Sequence, residues 1–362
     1  MDIKNLLKHA SNIRASDLHL SVGFPPLLRI DGVLRKTDAP VLSKQEVEKM
    51  FQSILDDKQK MEFEKRKEID FAYELDGVGR FRVNIFTQMR GLAGAFRIIP
   101  ANIMTLEDIH APKGAYTLAR MKKGLVLVTG PTGSGKSTTL AAVIDLINRE
   151  RKDHILTIED PIEYVHKGIN CLINQREIGQ HSHSFADALR GSLREDPDVI
   201  LVGEMRDLET IALAITAAET GHLVFGTLHT SSAPETVDRV IDVFPSDQQN
   251  QIRAVFANSI EGVIAQKLIP KGEGKGRIAA MEVMVATSAI RNLIRERKTH
   301  QMGTAIQTST DGGMQSMDQS LMNFLNDGEI NVTIAKEYAM EKKPFEAWKG
   351  STRDILHKSR DL

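Results

Sequence analysis

The sequence has little of what marks secreted, membrane-spanning or nucleic-acid-binding proteins. Cys171 is the only cysteine, so no disulfide and no thiolate zinc cluster can form within the chain. No apolar run approaches the roughly 18 residues of a membrane span, and the first residues do not resemble a signal peptide. We therefore expect a cytoplasmic protein whose contact with a membrane is peripheral or through a partner.

Excess positive charge is also missing. Lys and Arg number 47 and Asp and Glu number 48, which gives a formal net charge of −1. Proteins that bind nucleic acid usually present a basic surface, often with aromatic residues on which bases stack, and the chain has no clear surface of that kind. We expect no nucleic-acid partner.

The patterns that are present divide the chain into two regions. In the first, a helical apolar periodicity at residues 3–10, a hairpin turn at Asp31-Gly32 and a capping box at Ser43 and Glu46 predict an α+β domain over residues 1–100. Pro100 and Pro112 bracket a predicted linker at 101–117.

The region 118–362 has an α/β pattern. Short apolar runs recur, with helical patterns between most of them, at residues 125–129, 155–158, 199–202, 223–227 and 278–285. Such strands imply a mostly parallel sheet that is covered on both faces. The end of the chain is mainly helical and closes in a basic-acidic tail at 352–362.

The strongest motif is a phosphate-binding loop. GPTGSGKS at residues 130–137 matches GxxxxGK[ST] between a predicted strand and an amphipathic helix. Its glycines let backbone N–H groups face one anion, Lys136 would place its charge on the β- and γ-phosphates, and the Ser137 hydroxyl would ligate Mg²⁺. The predicted nucleotide-binding residues are Gly130, Pro131, Thr132, Gly133, Ser134, Gly135, Lys136, Ser137 and Thr138.

Carboxylates follow two predicted strands at the sheet edge where ligands bind. Glu159 and Glu163 follow the strand at 155–158, and Glu204 follows the strand at 199–202. A P-loop ATPase needs one carboxylate near Mg²⁺ and one to orient the attacking water. The apolar strand before Glu204 favours the metal role for that residue, whereas the residues alone leave the choice of base between Glu159 and Glu163 open.

Histidines and arginines supply further candidates. His222 and His229 bracket the strand at 223–227, and His229 falls at its carboxyl end, where it could stabilise the γ-phosphate; a structural role is the alternative for both. Four arginines of the first region could include arginine fingers, or could be solvated surface. They are Arg80, Arg82, Arg90 and Arg97.

These blocks together resemble the secretion ATPases of the type II and type IV pilus superfamily. The P-loop, ILTIEDPIEY (155–164), LREDPDVILVGEMRD (193–207) and TGHLVFGTLHTSSA (220–233) match the family in order, and AIRNLIRE (289–296) matches its pilus retraction ATPases. The resemblance implies a RecA-like P-loop ATPase core with a smaller PAS-like N-terminal domain. It also implies a homohexameric ring that binds ATP and Mg²⁺ between the two domains of a subunit.

The resemblance also assigns roles to residues by their position in these blocks. The catalytic residues that it implies are Glu163, Glu204, Lys136, His229, Arg82 and Arg97, with Ser137 and Glu204 as metal ligands. The function it implies is a motor for type IV pilus retraction and twitching motility. Its implied partners are an inner-membrane platform protein and a paralogous retraction ATPase.

Three other functions are compatible with a P-loop alone. The near-zero net charge argues against a RecA-like helicase or recombinase, and a P-loop kinase would not need the histidine block or the arginine-rich first region. A nucleotide-binding scaffold without turnover is disfavoured by the intact Lys136, Glu163 and Glu204.

The AIRNLIRE block yields a structural expectation of its own. Helical spacing places Ile290, Leu293 and Ile294 on an apolar side that should face the core. Arg291 and Arg295 fall mostly on the other side, which we expect to be an exposed surface that transmits motion to a partner or neighbour.

Overall fold

The computed structural model describes residues 2–13, 15–30, 32–99, 102–272, 274, 276–309 and 312–348. The chain divides into two compact units, one of residues 1–102 together with 161–165, the other of residues 103–160 and 166–362. The predicted boundaries at 1–100, 101–117 and 118–362 stay a prediction. Asp31, Pro100 and the predicted tail at 352–362 lie outside the described residues.

The first unit is an antiparallel sheet with helices. Its elements in chain order are α1 (Ile3–Asn12), β1 (Asp17–Ser21), β2 (Leu27–Ile30), β3 (Val33–Lys36), α2 (Lys44–Gln52), α3 (Asp57–Arg66), β4 (Glu68–Leu75), β5 (Gly79–Gln88) and β6 (Gly91–Ile99). The strand order is β3-β2-β1-β6-β5-β4, with every neighbouring pair antiparallel.

Alternation along β5 explains how this sheet divides its two faces. Phe81, Val83 and Ile85 are completely buried, whereas Arg82 and Asn84, which point to the opposite face, are partly exposed. The predicted capping box is confirmed, because the Ser43 side chain accepts from the Glu46 backbone N–H and the Glu46 carboxylate accepts from the Ser43 backbone N–H. The predicted hairpin is confirmed by the pairing of Ile30 with Val33 across the turn.

The second unit alternates strands and helices before a helical end. It contains α4 (Lys113–Ala119), β7 (Gly124–Thr129), α5 (Lys136–Glu150), β8 (His154–Glu159), β9 (Leu172–Glu177), α6 (Phe185–Ser192), β10 (Val199–Val202), α7 (Leu208–Glu219), β11 (Leu223–Leu228), α8 (Ala233–Asp242), α9 (Gln249–Ser259), β12 (Ile260–Pro270), β13 (Arg277–Val285), α10 (Ser288–Arg295), a 3-10 turn (Thr299–Gln301), α11 (Met302–Thr308), α12 (Met317–Asn326), α13 (Val332–Tyr338) and α14 (Lys343–Glu346). None of the helices in the described ranges is long and apolar enough to cross a membrane.

The seven strands of this unit form one sheet in the order β13-β12-β7-β11-β10-β8-β9. All neighbouring pairs are parallel except β12 with β13. Alternate residues of β7 face two separate apolar cores, Leu125 and Leu127 on one side and Val126 and Val128 on the other. The predicted parallel sheet with two covered faces is therefore confirmed, and the carboxyl ends of β7, β8, β10 and β11 share one edge.

Candidate active site

The phosphate-binding loop follows β7 directly and requires glycine at several positions. Gly130, Gly133 and Gly135 have φ values of 144°, 78° and 90°, which side chains other than hydrogen strongly disfavour. Lys136 is the first residue of α5, and its Nζ donates to the carbonyl oxygens of Gly130 at 2.9 Å and Pro131 at 3.2 Å. The loop and the positive end of a 15-residue helix thus meet at one place.

Glu204 and His229 come from different strands and meet beyond the carboxyl ends of β10 and β11. His229 Nε2 lies 2.8 Å from Glu204 Oε1, and Arg206 Nε donates to the same oxygen at 2.5 Å. The backbone between the strands is fixed because Thr227 Oγ1 donates to the carbonyl oxygen of Gly203 at 2.6 Å. The sequence had suggested Glu204 and His229, but Arg206 was missed as the third member.

This pairing keeps the carboxylate of Glu204 charged. Partial burial raises the pKa of Glu204, but the hydrogen bonds from Arg206 and His229 lower it by more, so the pKa lies below the usual value for a glutamate. The same contact raises the pKa of Arg206. At neutral pH the site therefore presents an ionised carboxylate, as a ligand for a hard cation must be.

A cavity joins this pair to the phosphate-binding loop. It has a volume of about 670 Å³ and is lined by Thr132 of the loop, by Glu204, Arg206 and His229, and by residues of α7 and α8, including Arg239. Polar groups converge on a concave space, which is the usual form of a ligand site. The structure thus brings together residues from three of the four sequence blocks.

His222 lies elsewhere. It immediately precedes β11, at the amino end of the strand, whereas the loop and His229 are at the carboxyl edge of the sheet. Its Nδ1 is 2.9 Å from the carbonyl oxygen of Ala217, and its backbone N–H donates to the same oxygen at 3.1 Å. These contacts tie the last turn of α7 to the start of the strand, which is a structural role.

The two glutamates between which the sequence left the choice open have different surroundings. Glu159 ends β8, and its Oε1 accepts from Thr157 Oγ1 at 2.6 Å and from Gln175 Nε2 at 3.2 Å. Glu163 is exposed and belongs to the segment 161–165, which is grouped with the first unit. Glu159 is thus hydrogen-bonded to residues of β8 and β9, and Glu163 is exposed.

Arg82 and Arg97 are register partners on β5 and β6. Arg82 Nη2 lies 2.8 Å from Asp70 Oδ2, and Arg97 Nε lies 3.0 Å from Asp17 Oδ1. Their side chains are nevertheless 42% and 70% exposed. The carboxylates orient both guanidinium groups and leave much of each accessible.

Arg90 lies in the turn between β5 and β6, with its guanidinium 5.4 Å from the centre of the Phe24 ring. Arg80 is on β5 opposite Ile99. Arg80 therefore shares a face of β5 with Arg82, whereas Arg90 lies at the other end of the strand, so the four do not form one cluster.

We expect Arg82→Ala and Arg97→Ala each to lower ATP turnover by about 10- to 100-fold with little change in nucleotide affinity, because an arginine finger acts mainly on the transition state. Steady-state hydrolysis and nucleotide titration would measure the two quantities. Arg29→Ala is a matched control, since Arg29 also pairs with Asp17, at 3.6 Å, without a predicted role. Parental turnover in both variants would make these arginines ordinary surface residues.

The AIRNLIRE block forms most of α10 and departs from expectation at Arg291. Ile290 and Ile294 are fully buried as predicted, while Leu293 is only partly buried. Arg291 was expected on the exposed side, and that is wrong. Its Nη1 donates to the carbonyl oxygens of Ala257, Asn258 and Ile260 at 2.9, 2.9 and 2.5 Å, and its Nη2 donates to Glu261 at 2.9 Å.

Arg291 therefore caps the carboxyl end of α9, where helix carbonyls lack partners. We expect Arg291→Ala to lower the free energy of unfolding by about 1.5–3 kcal/mol, the usual range for hydrogen bonds to a charged group. Arg295 is exposed and donates to Asn258 Oδ1 at 2.6 Å, so Arg295→Ala should change stability by less than about 0.5 kcal/mol. Urea denaturation would compare the Arg291→Ala and Arg295→Ala variants. Equal free energies of unfolding would contradict the capping role of Arg291.

Comparison with known proteins places the chain in a family. Residues 1–333 match the model of the type II/IV secretion system protein family. The chain belongs to this family. As a type II/IV secretion system protein it has the predicted fold class, a RecA-like ATPase core with a smaller α+β unit before it.

Among its relatives is the type IV pilus retraction ATPase PilT of Pseudomonas aeruginosa, 52% identical over 345 residues, which cover 95% of this chain and all of that protein. The type IV pilus ATPase PilU of the same organism is 38% identical over 339 residues, which cover 94% of this chain and 89% of PilU. The crystal structure of the pilus retraction motor PilT with bound ADP is similar with a TM-score of 0.90 and 46% identity, covering 96% of this chain and 100% of that one.

Proposed function

We propose that this type II/IV secretion system protein is an ATP-hydrolysing motor subunit that powers type IV pilus retraction and twitching motility. One observation carries the proposal. The phosphate-binding loop and the Glu204–His229 pair border one cavity, in a chain 52% identical to a pilus retraction ATPase over that protein's whole length. Fold alone would not specify the function, but identity of this extent over the whole of a retraction ATPase supports it.

The nucleotide is ATP, held at residues 130–138. The backbone N–H groups of the loop and the charge of Lys136 bind its phosphates. The residues present fit Mg²⁺, because Ser137 offers a hydroxyl and Glu204 an ionised carboxylate, and this cation prefers oxygen ligands. In the described ranges no three or more His, Cys, Asp and Glu residues form a metal site of their own, which suits a cation that takes its other ligands from phosphate and water. When bound, Mg²⁺ neutralises charge on the β- and γ-phosphates.

The remaining site residues have separate roles in hydrolysis. Glu163 orients the attacking water and accepts its proton, and His229 positions the Glu204 carboxylate through their hydrogen bond. Arg82 and Arg97 stabilise the charge that develops on the γ-phosphoryl group. ATP binding and release would then open and close the subunit, and a homohexamer of such subunits would convert that motion into pilus disassembly.

The motor acts at the cytoplasmic side of the inner membrane, where its partner is the pilus platform protein. A paralogous retraction ATPase is the second proposed partner, in keeping with the presence in P. aeruginosa of both PilT and the type IV pilus ATPase PilU. The higher identity to PilT, 52% against 38% to PilU, supports the role of main retraction ATPase rather than accessory one.

Two measurements test this function. The purified chain should hydrolyse ATP at a rate that DNA does not change, and the gene should restore twitching in cells that lack their retraction ATPase. Strong stimulation by DNA would favour a helicase, and phosphate transfer to a small molecule would favour a kinase. Hydrolysis without restored retraction would confine the proposal to an ATPase.

A further inference from the structure

A buried glutamine lies directly beneath the phosphate-binding loop. Gln266 is on β12, the strand beside β7, where Ala265 is opposite Thr129. Its side chain is 1% exposed, and its Nε2 donates to the carbonyl oxygen of Ser134 at 2.6 Å. The bond joins residues 132 positions apart, so it links the loop to another strand rather than to its own helix.

Gln266 also touches the loop through its glycines. A Cβ atom added to Gly130 would lie 2.3 Å from the carbonyl oxygen of Gln266, and one added to Gly135 would lie 3.2 Å from its Nε2. The first contact is impossible for any residue but glycine. Gln266 is therefore packed against both the start and the end of the loop.

The bond to Ser134 fixes the orientation of one peptide group. In a trans peptide the carbonyl and the following N–H point in opposite directions. Since the carbonyl oxygen of Ser134 points to Gln266, the N–H of Gly135 must point away from β12. Backbone N–H groups turned outward in this manner at a helix N-terminus are what binds phosphate.

The amide of Gln266 lowers the stability of the fold at this position. Gln266 Oε1 is buried and has no hydrogen-bond partner among the described residues, whereas the same strand also carries the buried apolar residues Ile264 and Ile269. An unpartnered buried amide oxygen destabilises the fold, and an apolar side chain would avoid that cost. The hydrogen bond to Ser134 is the one interaction described for this amide that an apolar side chain could not make.

We propose that Gln266 is a positioning residue that sets the phosphate affinity of the loop by holding the Ser134–Gly135 peptide in its phosphate-binding orientation. The inference rests on the proposed function, because it requires that the loop binds a nucleotide. Gln266 acts through the loop and need not touch the nucleotide itself.

Gln266→Met tests this inference, because methionine has a similar length and no N–H donor. The dissociation constants of ADP and ATP should rise about tenfold, the loss expected for one hydrogen bond's contribution. At saturating ATP, kcat should be nearly unchanged, because phosphate binding is lost equally from ground state and transition state. Adenosine has no phosphate. Its dissociation constant, measured by competition with bound nucleotide, should therefore be the same for Gln266→Met and the parent.

Gln315→Met is the matched control. Gln315 Nε2 donates at 2.9 Å to the carbonyl oxygen of Met281, which is the register partner of Gln266 on β13. The substitution thus removes the same kind of bond one strand further from the loop. Its nucleotide affinity should equal that of the parent. An equal loss of affinity in both variants would indicate general loosening of the fold and overturn the inference.

The outcomes separate the two proposals. Parental ADP affinity in folded Gln266→Met would overturn the positioning role while leaving the motor function intact, and a parent that binds no ADP would overturn both. If Gln266→Met does not fold, Gln266→Leu serves instead, since leucine also has no donor and carries no polar group that would be buried unpaired. Unchanged affinity in that variant would equally overturn the role.

Discussion

Lys136→Ala should reduce ATP turnover by at least about 10²–10³-fold, which is the usual cost of removing one preorganised charge from a site of phosphoryl transfer. The residue contributes in two ways. It supplies a charge for the β- and γ-phosphates, and its Nζ holds the carbonyl oxygens of Gly130 and Pro131 at the start of the loop. Alanine loses both, so nucleotide affinity should fall together with the rate.

Lys123→Ala is the control for this variant. Lys123 is an exposed lysine just before β7, at the opposite end of the strand that leads into the loop. It should keep parental hydrolysis and the parental thermal midpoint, and a cooperative thermal transition of Lys136→Ala would show that this variant is folded. Hydrolysis by Lys136→Ala at the parental rate would show that the site lies elsewhere.

The sequence predicted those parts of the fold whose pattern is local. The strands at 125–129, 155–158, 199–202 and 223–227 are continuous apolar runs, and the structure extends each by at most one residue at either end. The edge strand β9 was missed because its sequence, LINQRE, has two apolar residues, and Leu172 is exposed. The strand β12 was missed because it follows α9 without a break: Ile260 both caps the helix and begins the strand.

Contacts between distant residues could not be predicted from spacing. Arg291 lies on the polar side of its helix, but a long side chain can reach the end of a neighbouring helix, and only the packing of α10 on α9 places it there. His222 and His229 bracket β11 as predicted, but the contact of His229 with Glu204 depends on how β10 and β11 pair. Gln266 gave no signal at all, because its partner is 132 residues away.

β12 links two of these contacts. Arg291 holds the carbonyl oxygen of Ile260, where the strand begins, and Gln266 on the same strand holds the phosphate-binding loop. The AIRNLIRE helix and the loop are thus joined by one buried strand rather than through solvent. Asn292 and Arg295 are exposed on the same helix and remain accessible to a partner.

Glu163→Gln should retain nucleotide binding and lose hydrolysis by about 10²–10⁴-fold, the usual contribution of a general base. Glutamine keeps the size of the side chain but has no negative charge to orient water or accept its proton. The exposure of Glu163 fits a group that meets a ligand. Single-turnover hydrolysis and ADP titration would separate the chemical step from binding.

Glu159→Gln is the comparison that assigns the base, because Glu159 and Glu163 are the two candidates for it. Glu159 Oε1 accepts from Thr157 and Gln175, and a glutamine oxygen can accept both of these hydrogen bonds. Hydrolysis by Glu159→Gln should therefore stay within about threefold of the parent, because these contacts are kept and Glu159 is not the proposed base. An active Glu163→Gln together with an inactive, folded Glu159→Gln would assign the base to Glu159, at the end of β8.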